Sequence, residues 1–515
     1  MTPESGWSLD FSAARRLGGM LSLLIVAGST AAAPVRAATY DPGTDVNSMA
    51  STTAYTGAQA WWAAGYTGQG VDVAIVDSGV SPVQGLSAPG KVVYGPDLSF
   101  ESQSPELTNL DTFGHGTFMA GLIAGHDDAL VAPYSIAPAS AYRGMAPDAR
   151  IVSLKVGTAD GGVDVSQVIA AIDWVVQHRT DNGLNIRVIN LSYGTNSTQS
   201  YLVDPLAFAV EQAWKAGIVV VAAGGNSGYQ KGASAPGLAN PAYDPYIIAV
   251  GASDSMSTPE IWDDAVATFS ASSTACNNAC RNPDLIAPGA HIQGLRVPGS
   301  YIDQNHPEGI LDGRYFRGSG TSESAAIVSG AVALLLQRHP GFTPDQTKSF
   351  LLQGAAHLSG YSSRLQGNGV VSLANMLTLS PAKYGQSYQA STGTGSLEQS
   401  RGTDHLTRDG VVLSGESDIF GMPFDAAAMA ALEAAGSSWS DGVWNGSTWS
   451  GSSWSGNSWS GSSWSGSSWS GSSWSGSSWS GGVWNGSTWS GSSWSGSSWS
   501  GNSWSGNSWS SASWE

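Results

Sequence analysis

The chain has 515 residues, enough for one large domain with appendages, but only 12% are charged and the formal net charge is −18. With 39 acidic against 21 basic residues, the balance argues against nucleic acid and anionic membrane surfaces as partners. It leaves a peptide substrate open.

Arg15-Arg16 precede an apolar run over 17–27 that is too short to span a bilayer, and small residues follow. The pattern is that of a signal peptide over 1–37. A cut after Val35-Arg36-Ala37 fits better than one after Ala31-Ala32-Ala33, where Pro34 would follow at once. No later apolar run approaches the ~20 residues of a spanning helix, so the expected location is secreted, extracellular or on the cell surface. Residues 38–60 form a short, polar, turn-rich segment.

Over 61–379 strand and helix patterns alternate, which predicts an α/β domain in three layers: a mainly parallel central sheet flanked by helices. Strands are expected at 71–76, 151–156, 187–191, 218–223 and 247–250. Val168, Ile169, Ile172, Val175 and Val176 repeat at helical spacing, so 166–178 reads as an amphipathic helix with a polar outer face. A second helix over 205–216 ends at Gly217, and a later one begins with Thr343 as cap and Pro344 in its first position.

Three stretches carry chemistry. The β-branched run over 71–76 ends in Asp77-Ser78-Gly79, which puts a carboxylate at the C-terminal edge of a buried strand, where open α/β sheets bind ligands. Gly114-His115-Gly116-Thr117 opens an apolar helix with no bulky side chain crowding His115. Gly320-Thr321-Ser322 runs into an apolar segment over 325–336, and this puts Ser322 in the first turn of a buried helix, where backbone N–H groups favour developing negative charge. Taken singly, Asp77 reads as a turn residue, His115 as a surface cap, and Thr321 or Ser322 as a helix cap. Together they give Asp, His and Ser in one of the orders in which a nucleophilic triad is built.

With these flanks the chain resembles the subtilisin-like serine proteases over 61–376. The resemblance implies a serine endopeptidase: His115 as base for Ser322, Asp77 holding the imidazole, and no cofactor or metal in the chemistry. It implies that Val220-Val-Ala-Ala-Gly-Gly-Asn-Ser-Gly228 supplies Asn226 as the side-chain donor of the oxyanion hole, with Gly224 and Gly225 letting the backbone approach substrate. It further implies that Ser192, Tyr193 and Gly194, at the end of an expected strand, pair with the substrate backbone. Two positions depart from the family: Glu323 and Ala326 stand where Met and Pro are usual. Glu323 suits the helix dipole but can perturb His115, and the missing Met predicts tolerance of oxidants. Structural calcium is common in the family; Asp127-Asp128 lie in a candidate loop, with ligands unknown. A folding propeptide of several tens of residues is also common, and only about twenty residues fall between Ala37 and Ala60.

Outside these motifs, Cys276 and Cys280 read as a local disulfide in an exported protein; a metal site would want four ligands. His126, His178, His291, His306, His339, His357 and His405 read as surface or structural residues. Residues 380–436 read as a linker with a short hairpin from 411–415 and 418–421 and a brief helix over 425–435. From 437 to 515 Trp recurs every five residues, sixteen times from Trp439 to Trp514, and Asp441 and Glu515 are the sole charges. Gly-Val-Trp-Asn-Gly-Ser-Thr-Trp occurs at Gly442 and again at Gly482, a forty-residue duplication. A period of five gives no single apolar face on a strand or helix. A disordered tether, a narrow solenoid and an adhesive array that binds cell wall or polysaccharide all fit this tail. The competing functional classes are an inactive surface scaffold working through the tail, and an esterase using the same three residues.

Overall fold

The computed structural model describes residues 40–229, 237–272, 281–380, 384–403, 405–408, 411–450, 453–455, 479–480 and 483–484. The expected signal peptide, Cys276 and Cys280 lie outside the described residues.

Helices α1 (Met49–Tyr55) and α2 (Ala58–Ala63) lead into β1 (Asp72–Asp77), whose six residues are all buried. Then follow β2 (Val92–Asp97), α3 (His115–Ala124), β3 (Arg150–Lys155), α4 (Val165–His178), β4 (Ile186–Leu191), α5 (Pro205–Lys215), β5 (Val219–Ala223) and β6 (Ile248–Asp254). Short strands β7 (Ala265–Val266) and β8 (Leu285–Pro288) come next. β9 (Ile292–Leu295) and β10 (Tyr315–Gly318) form an antiparallel pair separated in the chain by α6 (Tyr301–Asn305). Helix α7 (Thr321–Arg338) precedes α8 (Pro344–Gly354), α9 (Ser363–Gln366) and α10 (Leu373–Met376).

The main sheet runs β2-β3-β1-β4-β5-β6, and β7 and β8 both pair with β6. Every pairing is parallel except β6 with β7. The chain extends the sheet from β1 to one side through β2 and β3, then to the other from β4 onward. The strand order therefore reverses at β1, and a crevice opens beyond its carboxyl end, at Asp77. Helix α3 packs on α7 and α4 on α5, and these pairs flank the sheet. The helix starts follow from local chemistry: Asp164 and Gln167 make a capping box for α4, and Thr343 and Gln346 make one for α8, with Pro344 in its first turn. The expected strands and helices all form, with ends shifted by a few residues. Strand β2 escaped the sequence because Gly95 and Pro96 interrupt its apolar run, and β7 is only two residues long.

The stretch after Ser380, expected as a linker, folds onto α4 and α5. Helix α11 (Leu397–Arg401) packs near α4 and α5, and α12 (Ala426–Ala434) packs on α5. Its scattered apolar residues Leu397, Leu406, Leu413, Ile419, Phe420 and Phe424 are buried, and Arg401 pairs with Asp164 at 2.6 Å with both side chains enclosed. The expected hairpin forms one strand earlier: β11 (Thr407–Arg408) pairs with β12 (Val411–Val412). β13 (Trp439–Ser440) and β14 (Val443–Trp444) then lie against α4. The Trp439 indole donates to the Ala170 carbonyl and the Trp444 indole to Asp173 Oδ2, both at 2.8 Å. This corrects the polar outer face expected for α4, which the C-terminal segment covers.

The described pentads carry short antiparallel strands. β14 continues to β15 (Ser447–Ser450) and β16 (Ser453–Ser455) in an antiparallel meander. Asp441-Gly442 and Asn445-Gly446 have φ of 49, 77, 46 and 76°, as the tight turn of a two-residue hairpin requires. Trp439 sits opposite Trp444 and Trp449 opposite Trp454. The same register recurs where β17 (Trp479–Ser480) meets β18 (Val483–Trp484), with Trp479 opposite Trp484. The turn at Asp441-Gly442, invisible to a period count, is what brings Trp439 opposite Trp444.

Candidate active site

Asp77 ends β1 at the crevice, 1% exposed. Its Oδ1 accepts the Ser78 backbone N–H at 2.7 Å, and His115 Nδ1 lies 2.9 and 3.0 Å from its two carboxylate oxygens. This contact depends on Gly116: a Cβ there would stand 2.2 Å from the Gly79 carbonyl oxygen and 3.0 Å from Asp77 Oδ1, so a larger residue would drive α3 off β1.

Asp111, which the sequence reading passed over, fixes the start of α3. Its Oδ1 accepts the Gly114 N–H and its Oδ2 the Thr117 N–H, both at 2.7 Å, replacing the cap that Gly114 cannot supply. Oδ1 also accepts the Ser78 hydroxyl at 2.8 Å, and Ser78 Oγ accepts the Gly116 N–H at 3.0 Å. An aspartate four residues before the histidine, with a serine after Asp77, was the available signal. Burial works against a charged His115, but the Asp77 carboxylate and its hydrogen bond, with the charges of Glu323 and Asp111, outweigh it and hold the imidazole above its ordinary pKa.

Ser322 occupies the first turn of α7, 2% exposed. Its Oγ donates to the Ser192 carbonyl at 3.3 Å, and Ser192 Oγ donates to the Ser322 carbonyl at 3.1 Å, which ties the end of β4 to the serine's own turn. Asn226 Oδ1 accepts the Thr321 N–H at 2.9 Å and the Thr321 hydroxyl at 3.0 Å. With its oxygen held by α7, the amide's donor branch is orientated from the neighbouring residue of Ser322. Thr321 Oγ1 also accepts the Gly225 N–H at 3.1 Å, so one threonine joins the Gly-Gly-Asn loop to the helix.

Thus Asp77 and His115 are in direct contact, and Ser322, Ser192 and Asn226 meet around the start of α7. Tyr193 and Gly194 continue from Ser192 as buried residues, and the next residue, Thr195, exchanges backbone hydrogen bonds with Asn240, both at 2.9 Å. Gly224 and Gly225 follow β5 and are bonded to neighbouring loops and strands. Gly224 N–H goes to Val250 and its carbonyl takes Ala239 N–H, while the Gly225 carbonyl takes Ala271 N–H. The remaining histidines stand apart: His178 stacks on Trp174, His339 on Phe342, and His405 pairs with Glu398. Asp127 pairs with Arg314 and accepts the Tyr142 N–H. Among the described residues no cluster of three acidic, His or Cys side chains could hold a metal ion, and no helix is long and apolar enough to cross a membrane.

The parallel sheet thus carries a buried carboxylate–imidazole pair at its carboxyl edge, beside a helix that opens on a serine. The chain belongs to the subtilase family, whose model matches residues 68–369, and by family it is a serine-type endopeptidase. It is 34% identical to the serine protease AprX of Bacillus subtilis (strain 168) over 312 residues, 60% of this chain and 66% of that one. It is 31% identical to the subtilisin of Bacillus pumilus over 60% of this chain and 91% of the relative. A solved structure described as a cold adapted subtilisin-like serine proteinase is 27% identical, with a TM-score of 0.41 over 60% of this chain and 88% of that chain.

Proposed function

We propose that the protein is an exported endopeptidase that cleaves peptide bonds through Asp77, His115 and Ser322, and the observation that carries this is the buried Asp77–His115 contact at 2.9 Å. Asp77 accepts the Nδ1 proton and thereby leaves Nε2 as the basic nitrogen. The Ser322 hydroxyl turns from the Ser192 carbonyl to that nitrogen, gives up its proton as Oγ attacks the scissile carbonyl, and the imidazolium returns the proton to the departing amine. The Ser322 N–H and the Asn226 amide hold the oxyanion, and water releases the acyl group by the reverse route. Ser192, Tyr193 and Gly194 align the peptide as an added strand.

The decisive experiment treats the purified protein and its Ser322→Ala variant with a serine-directed fluorophosphonate probe and with casein. Labelling and cleavage confined to the parent support the reading. An unlabelled, inactive parent would hand the function to the surface-scaffold reading, and hydrolysis of simple esters without casein cleavage would make it an esterase. The tail is assigned to attachment on cell wall or polysaccharide, since indole faces stack on sugar rings. A tail fusion that binds cell walls no better than its Trp-to-Ser version would remove that assignment.

A further inference from the structure

Residues 192–194 are held from two sides. On one side Ser192 exchanges hydrogen bonds with Ser322. On the other, the loop that continues from them is gripped by α11 and the turn after it, a segment beyond the 68–369 stretch that matches the family.

The grip is specific. Thr195 Oγ1 donates to the Ser400 carbonyl at 2.6 Å in a buried setting. The Ser400 hydroxyl donates to Asp204 Oδ1 at 3.1 Å and accepts from Asn240 Nδ2 at 3.2 Å, and Asn240 is the residue whose backbone pairs with Thr195. The Thr403 N–H donates to Asn196 Oδ1 at 2.7 Å, and the Asn196 amide returns a bond to the Thr403 hydroxyl. Between these residues Gly402, at φ 71°, lets the two segments touch: a Cβ there would stand 2.1 Å from Asn196 Oδ1 and 2.8 Å from the Asn196 carbonyl carbon. The clamp is itself anchored, because Arg401 is locked to Asp164 at the start of α4.

We propose that α11 and its following turn set the position of the substrate-pairing edge relative to Ser322, with Ser400 and Gly402 as positioning residues for extended peptides. The proposal rests on the reading of Ser192, Tyr193 and Gly194 as that edge. Strand addition gains its affinity from several main-chain hydrogen bonds formed in one register, and displacement of the edge weakens all of them at once. A small acyl substrate held only by Ser322 and its oxyanion donors does not feel the displacement. The C-terminal segment thereby belongs to substrate recognition.

The test uses the full chain and its Thr195→Val, Thr195→Ser and Gly402→Ala variants. Each is assayed on a peptide amide with four residues on the acyl side, on a single-residue ester, and for its rate of fluorophosphonate labelling, which reports an intact site. Thr195→Val removes the bond to Ser400 at nearly constant volume, and Thr195→Ser keeps it. Loss of one buried hydrogen bond corresponds to about three- to tenfold in an equilibrium constant. The expected result is a rise of that size in KM for the peptide amide in Thr195→Val and Gly402→Ala, with kcat, ester hydrolysis and labelling at parental values, and recovery in Thr195→Ser. Peptide KM values within twofold of the parent in both variants, or equal rises for peptide and ester, overturn the proposal while labelling of the parent leaves the hydrolase reading standing. A parent that does not label overturns both.

Discussion

Replacing Asp173 by Asn should stabilise the protein above neutral pH. Asp173 lies on α4 under the C-terminal segment; its Oδ2 accepts the Trp444 indole N–H at 2.8 Å, and its charge acts on Glu433 of α12 across the same buried space. Burial pushes the Asp173 carboxyl from 3.8 up to about 7 against the pull of the Trp444 hydrogen bond. Burial, and then the Asp173 charge, drive Glu433 well above the ordinary glutamate range. The native state therefore keeps a proton at Asp173 that the unfolded chain has released. Stability from this group is fully present below about pH 4, falls as pH rises to about 7, and is flat beyond. Roughly three units at 1.36 kcal/mol each make the loss on the order of 4 kcal/mol. Asn keeps an oxygen for the indole and cannot ionise. In a Ser322→Ala background, which prevents self-digestion, urea unfolding followed by far-UV circular dichroism should place Asp173→Asn level with its parent near pH 4 and several kcal/mol above it at pH 8. A gap of equal size at both pH values, or a parent more stable at pH 8, would refute the reasoning.

Glu323→Gln removes one of the charges that hold the His115 pKa up, so the acidic limb of the pH–kcat/KM profile should move to lower pH; an unmoved or higher limb contradicts the electrostatic role. Asn226→Ala should lower kcat on peptides by about a hundred- to a thousandfold, with a small change in KM, as measured by steady-state kinetics; a change in KM alone would make Asn226 a binding residue. Because Glu323, and not an oxidisable Met, follows Ser322, peroxide treatment should spare activity, and inactivation mapped by mass spectrometry to residues around Ser322 would count against this.

The parallel sheet, the Asp77–His115 contact and the helix opening on Ser322 were legible because each depends on local sequence: a β-branched run ended by a carboxylate, and glycines before a helix. Asp111 and Thr321 were not, since their work is to satisfy backbone and side-chain groups distant in sequence. The segment after Ser380 was misread for a related reason. Its mean composition is polar, but its few large residues are spaced to meet a surface that only the folded α4 and α5 provide. Composition averages over Leu397, Phe424 and Trp444; packing uses them one at a time.

Among the described residues, the opposed tryptophans follow a count. Opposed pairs begin at Trp439, Trp449 and Trp479, always a whole number of ten-residue steps apart. Each step is an even number of pentads. Between the first two of these pairs the register differs, with Trp444 opposite Ser447, so excision of a single pentad between two described pairs would break the ten-residue step, whereas excision of two would keep it. The forty-residue duplication at Gly442 and Gly482 keeps this ten-residue step.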